Sequence, residues 1–121
     1  MSDFTIKDSG KRAELGGGGV RDTEEGKTDY TLILDGPMYD RWAEHLTKGA
    51  KKYEARNWMK FGHGTLIEMS QAQWRAKRSL ARHFRQYMAG ERDEDHGAAM
   101  MFNINVIEYL EERIESVPIT G

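Results

Sequence analysis

Residues 37–53 read Pro-Met-Tyr-Asp-Arg-Trp-Ala-Glu-His-Leu-Thr-Lys-Gly-Ala-Lys-Lys-Tyr, and the fold class is decided there. Met38, Trp42, Leu46, Gly49/Ala50 and Tyr53 recur at three- and four-residue steps, which lines them along one face of a helix, with Asp35 and Pro37 as the start signal. This helix is expected to end near Arg56-Asn57, and the glycines of Lys60-Phe61-Gly62-His63-Gly64 predict a loop. A second helix runs from about Leu66 or Ser70 to Ala89, with Met69, Ala72/Gln73, Ala76, Leu80, Phe84 and Tyr87/Met88 inward, a basic outer face, and Gly90 as the stop. A third begins near Asp93-Glu94-Asp95, acids that suit the positive end of a helix dipole. It carries Met101, Phe102, Val106, Ile107, Leu110 and Ile114 to a stop at Val117-Pro118. The fold expected is all-α.

Upstream the pattern is different. Residues 1–29 mix the run Gly16–Gly19 with Lys, Arg, Asp and Glu and only scattered apolar side chains, which predicts an irregular arm. The glycine run suits a flexible linker, or backbone passing close to a phosphate. Tyr30-Thr31-Leu32-Ile33-Leu34 is β-prone but short, and Asp35-Gly36-Pro37 closes it, so a docked extended segment is expected. The division expected is an arm over 1–36 and a helical domain over 37–121. About 85 residues make a small core, which predicts an oligomer.

Composition narrows the function. The 121 residues carry a formal charge of −2 and no Cys, which excludes a disulfide framework, a zinc ribbon and a thiol nucleophile, and leaves carboxylates, His or backbone oxygens as metal ligands. Oxygen-rich sites favour Mg²⁺ or Mn²⁺. No apolar run approaches the roughly 18 residues of a membrane helix and the N-terminus lacks a signal-peptide layout, so a cytoplasmic protein without a membrane partner is expected. The near-neutral balance argues against a nucleic-acid partner, whose phosphates demand many cations.

Gly90-Glu91-Arg92-Asp93-Glu94-Asp95-His96 places four carboxylates and an imidazole in seven residues at a helix junction. Hard divalent cations want such clusters, although a solvated loop with a helix cap uses the same residues. Glu44, on the border of the first helix's apolar stripe, is a second acid source, with Asp40 and Glu54 nearby. Arg75, Arg78, Arg82 and Arg85 form a guanidinium stripe suited to phosphate, or a solvated face. His83 falls toward the inner side of the same helix. Asn103, seven residues after His96, sits in an apolar run where its amide needs partners, from a neighbouring helix or from a ligand. Residues 49–58 join Lys51, Lys52 and Asn57 to Tyr53 and Trp58, a mixture of cations, amide and rings that can hold a nucleotide. No Walker loop, dinucleotide fingerprint, Gly-x-Ser-x-Gly or His-Glu-x-x-His is present.

Arg21-Asp22-Thr23-Glu24-Glu25-Gly26-Lys27, Gly49-Ala50-Lys51-Lys52-Tyr53 with Arg56-Asn57-Trp58, Arg82-His83, residues 90–96 and Asn103, in this order and spacing, resemble the phage dATP/dGTP diphosphohydrolases. That family is similar to the MazG-like all-α nucleoside triphosphate pyrophosphohydrolases. The likeness spans about 20–110. It implies a helical-bundle oligomer, a dimer or tetramer, that cleaves a purine deoxynucleoside triphosphate between its α and β phosphates with two or more Mg²⁺ or Mn²⁺ ions. It also allows a role in phage nucleotide pools, including dGMP supply for 2-aminoadenine DNA. On this likeness Glu44, Glu91 and Asp95 are the catalytic candidates, and with Glu94 the metal ligands. Lys51, Lys52, Arg82 and His83 stabilise the phosphates, and Asn57, Trp58 and Asn103 hold the sugar or base. The wider MazG pattern pairs Glu-x-x-Glu with Glu-x-x-Asp, whereas Thr47 and Lys48 follow Glu44 here. The rival expectation is a non-catalytic helical interaction module of phage origin, in which the acids and arginines form solvated faces or salt bridges.

Overall fold

The computed structural model describes residues 5–118. The chain divides after Leu32 into two units. In the first, β1 (Arg12–Glu14) pairs antiparallel with β2 (Val20–Asp22), Ala13 opposite Arg21. The chain reverses through Gly16–Gly18, where Gly17 and Gly18 take φ near +80°, a region that costs glycine little. The segment read as an irregular arm thus contains a small hairpin. Its ties are polar: Asp22 accepts from Ser9, and Asp8 accepts from both terminal nitrogens of Arg12. Hydrophobic periodicity carries no trace of such a network. Tyr30–Leu34 is a 3-10 turn instead of an extended segment, because Asp29 Oδ1 accepts from the Thr31 amide at 3.0 Å and from its hydroxyl at 2.6 Å and so caps a helical turn.

The second unit is all-α: α1 (Met38–Lys52), a 3-10 segment (Asn57–His63), α2 (Leu66–Met88) and α3 (His96–Glu115). α2 opens on a capping box in which Thr65 and Glu68 each satisfy the other's backbone amide. α2 and α3 pack antiparallel, as three cross-helix ties show. His83 meets His96, Asn103 Nδ2 donates to Ser79 Oγ, and the buried Gln73 donates to Ile107 O and to Glu111. Met69, Ala76, Val106 and Leu110 form the core, with Trp58, Ala72, Phe102, Ile107, Tyr109 and Ile114 packed against it.

Two helix limits differ from expectation. α1 stops at Lys52, and Arg56 then adopts φ +61°, a left-handed conformation that turns the chain into the 3-10 segment where a glycine loop was expected. That segment docks on α3: Tyr109 donates to Met59 O, Arg113 Nε donates to Gly62 O, and a Cβ on Gly62 would stand 2.7 Å from the Tyr109 ring. The inward stripe of α2 is also shorter than expected, since Phe84, Tyr87 and Met88 are exposed. α3 begins at the level of His83 and runs back along α2, so it does not cover the last turn.

Candidate active site

The wall formed by the end of α1, the 3-10 segment and the facing surfaces of α2 and α3 encloses a cleft of about 1330 Å³. Asn57, Trp58 and Asn103 line it, together with Arg56, Arg75 and Arg78. The Trp58 ring is fixed edge-on against Tyr109, with centroids 5.1 Å apart, so it presents a braced aromatic surface. Asn103 is buried and donates through Nδ2 to Ala99 O at 3.0 Å and to Ser79 Oγ at 3.2 Å. Because a carbonyl only accepts, the contact to Ala99 fixes which way the amide points and leaves Oδ1 as its acceptor atom. Glu68, also in the lining, is held below its ordinary pKa by the Thr65 amide and hydroxyl. The cleft therefore offers rings, an oriented amide and three guanidinium groups, the inventory a nucleotide requires.

A second constellation lies at the α2–α3 junction. His96, the first residue of α3, is 2% exposed, and its two ring nitrogens face different partners. Nε2 meets Asp93 Oδ1 at 2.8 Å, and Nδ1 meets His83 Nδ1 at 2.9 Å. His83, Glu94 and His96 each present a ligand atom within 4.8 Å of the others, as do Glu91, Asp93 and His96. The hydrogen bond from His96 holds the Asp93 carboxyl below its usual range, and burial pushes His83 down, toward the neutral imidazole that a metal ligand must be. The mixed nitrogen and oxygen donors fit a divalent cation. His45 joins the two features: it lines the cleft and feels the charges of Asp95, His83 and Glu94, while burial lowers its own pKa. Along α3, Asn103 and His96 are separated by seven residues, roughly 10 Å of helix, comparable to the reach of a nucleoside from base to 5′-phosphate.

The residues selected from sequence are distributed unevenly over these features. The cleft gathers Asn57, Trp58 and Asn103, and the junction gathers His83, Glu91 and Glu94. Lys51 and Lys52 are exposed in the last turn of α1, beside the lining residues Ala50 and Tyr53, and Arg82 is exposed on α2; none of the three lines the cleft. Glu44 is exposed on α1 and lies in neither candidate cation group. Asp95 is committed to structure: it caps α3 by accepting from the Ala98 amide at 3.0 Å, and Arg41 grips both its oxygens, Nε at 2.8 Å, which holds its pKa well below the usual carboxylate range. Sequence reasoning passed over His45, and reached Asp93 and His96 only as members of the acidic cluster, without roles of their own; His83 and His96 were not paired. That pairing becomes readable only once α2 and α3 are known to be antiparallel, which brings His83 beside His96.

No helix among the described residues is long and apolar enough to cross a membrane. Residues 18–117 match the family model described as dATP/dGTP diphosphohydrolase, N-terminal. Neither the curated proteins nor the solved structures contain a match.

Proposed function

The chain belongs to the dATP/dGTP diphosphohydrolase family, and from that premise we propose that it hydrolyses dGTP, dATP or both between the α and β phosphates, releasing monophosphate and pyrophosphate. The observation that carries the reading is the adjacency, through His45, of an aromatic and amide-lined cleft to a His–carboxylate junction. In it the purine stacks on Trp58 and meets the amides of Asn57 and Asn103. Arg56, Arg75 and Arg78 receive the phosphates inside the cleft, with charge-assisted bonds that strengthen as charge builds toward the transition state. Lys51, Lys52 and Arg82 act at its rim, and His83 at the junction.

The divalent cations, two or more of Mg²⁺ or Mn²⁺, are assigned to the junction, with Glu91 and Glu94 as carboxylate ligands. Bound there they supply charge neutralisation and water activation. Asp95 is assigned a positioning role through Arg41 and the α3 cap, and Glu44 no ligand role. A homo-oligomer is part of the same proposal, because Ile67, Trp74, Phe84 and Met88 leave a broad apolar strip of α2 exposed. Purine-pool remodelling in a phage, with dGMP supplied for 2-aminoadenine DNA, is the physiological setting we propose.

The test is turnover of the eight common NTPs and dNTPs with Mg²⁺ or Mn²⁺, with products separated by chromatography and Glu91→Gln as control. Monophosphate and pyrophosphate from a purine dNTP, lost in the variant, are expected. Absence of product with every nucleotide and either metal would overturn the reading and favour a non-catalytic interaction module.

A further inference from the structure

The carboxylates account for a hard cation at the junction but not for the pairing of its two imidazoles, which sets His83 beside the cation as well as the phosphates. His83 and His96 come from different helices and share no sequence neighbourhood, yet their Nδ1 atoms lie 2.9 Å apart with the rings tilted at 45°. Asp93 accepts only, so the proton of His96 sits on Nε2 at 2.8 Å and Nδ1 is left as a lone pair directed at His83. The hydrogen bond between the two histidines then requires His83 in its Nδ1–H form. With the proton on the other nitrogen of His83, two lone pairs would converge on one point. Two imidazole nitrogens bound to one ion at about 2.1 Å and near-right-angle or tetrahedral geometry stand about 3.0–3.4 Å apart, so the observed spacing needs only a few tenths of an ångström of adjustment. The carboxylate of Glu94 lies within 4.8 Å of both. A carboxylate on the far nitrogen of a buried histidine is also the usual outer-shell arrangement of metal-binding imidazoles, where it fixes the tautomer and raises the basicity of the ligand.

We propose that His83 Nδ1, His96 Nδ1 and Glu94 form a transition-metal site, the cation taking the place of the proton between the two imidazoles while His83 carries its proton on Nε2 instead, with Asp93 as the positioning residue behind His96. At least one cation of this protein is then a nitrogen-accepting ion of the Mn²⁺, Co²⁺ or Zn²⁺ class in preference to Mg²⁺. Mg²⁺ demands oxygen ligands in near-ideal octahedral geometry and parts reluctantly with its waters, whereas imidazole suits the later divalent metals, in rising order from Mn²⁺ through Co²⁺. The proposal deepens the assignment of cations to this junction and rests on that reading, but it concerns binding and is read without turnover.

The experiment is titration of the full-length apoprotein with Co²⁺, followed by visible absorption, with Zn²⁺ and Mg²⁺ as competitors. One Co²⁺ per chain with a ligand-field band, displaced by Zn²⁺ and retained against a hundredfold excess of Mg²⁺, is expected. His83→Gln should weaken Co²⁺ binding by a hundredfold or more, and the exposed Asp93→Asn, which removes no ligand, by roughly 10–100-fold. Circular dichroism of both variants establishes that they are folded. Unchanged Co²⁺ affinity in folded His83→Gln, or displacement of Co²⁺ by an equal concentration of Mg²⁺, would overturn the site. Nucleotide turnover with Mg²⁺ persisting alongside either result would leave the diphosphohydrolase reading standing without the nitrogen site. Loss of turnover with the Co²⁺ results as expected would do the reverse.

Discussion

Substituting Asp95 separates what this carboxylate does for the fold from what it does for a cation. Asp95→Ala removes the α3 cap, a loss of about 1 kcal/mol, and the pair with Arg41, which side-chain exposures of 36% and 40% hold by solvent screening to about 0.2–1 kcal/mol. The sum is roughly 1.5 kcal/mol. At about 4–8 °C per kcal/mol for a domain of this size, Tm should fall by about 6–12 °C. Asp95→Asn keeps a capping oxygen and loses only the charge, so about 0.5 kcal/mol and about 2–4 °C are expected. Because Arg41 lowers the folded-state pKa of Asp95, the charge contributes in full above the ordinary value of 3.8 and is lost as pH falls below it. The difference in Tm between wild type and Asp95→Asn should accordingly shrink in that acid range. The assay is thermal unfolding by far-UV circular dichroism across pH, with and without Mn²⁺. An Asn variant as unstable as the Ala variant would refute the cap, and an Ala variant within 0.5 °C of wild type would refute both contacts. Loss of Mn²⁺-induced stabilisation in Asp95→Asn would make Asp95 a ligand and refute the positioning role.

Two glycine substitutions should move stability in opposite directions. Gly62→Ala drives a methyl against the Tyr109 ring and Arg113 and should cost about 1–3 kcal/mol, whereas Gly49→Ala, in the last turn of α1 with open space around it, should gain up to about 1 kcal/mol of helix propensity; urea midpoints check both. Asn103→Leu should raise KM for the purine dNTP at least tenfold with a smaller change in kcat, because it removes the oriented amide of the cleft lining and leaves the junction intact; steady-state kinetics measure this, and an unchanged KM would place the base elsewhere.

The helices were legible because their apolar residues keep a 3.6-residue period, and Met69, Ala76, Val106 and Leu110 are buried as that period demands. What escaped was set by backbone geometry or by polar contacts between distant residues. The end of α1 depends on a left-handed Arg56, which no local pattern announces. The burial of Gly62 comes from Tyr109 and Arg113, about fifty residues downstream, and the β1–β2 hairpin is tied by serine, aspartate and arginine. Of the residues lining the candidate cleft, Asn57, Trp58 and Asn103 stood out in the sequence as an amide and a ring amid cations and an amide within an apolar run. The burial of His96 was hidden, since a histidine in a run of acids looks like part of a solvated loop until a second helix sets His83 against it.

Docking order on the energy landscape follows from how α1 is held. α2 and α3 are joined by a short connection, so their mutual contacts close small loops at little entropic cost, and among the described residues they contain all the buried residues of the three α-helices. α1 contains none, and its salt bridge to α3 through Arg41 and Asp95 spans 54 residues. The α2–α3 hairpin is thus the element that forms early and opens last, and α1 is the one that arrives late and detaches locally at the smallest free-energy cost. Since the end of α1 walls the cleft, the least protected of the three α-helices is also the one beside the cleft, and a bound nucleotide would slow hydrogen exchange in α1 more than in the hairpin.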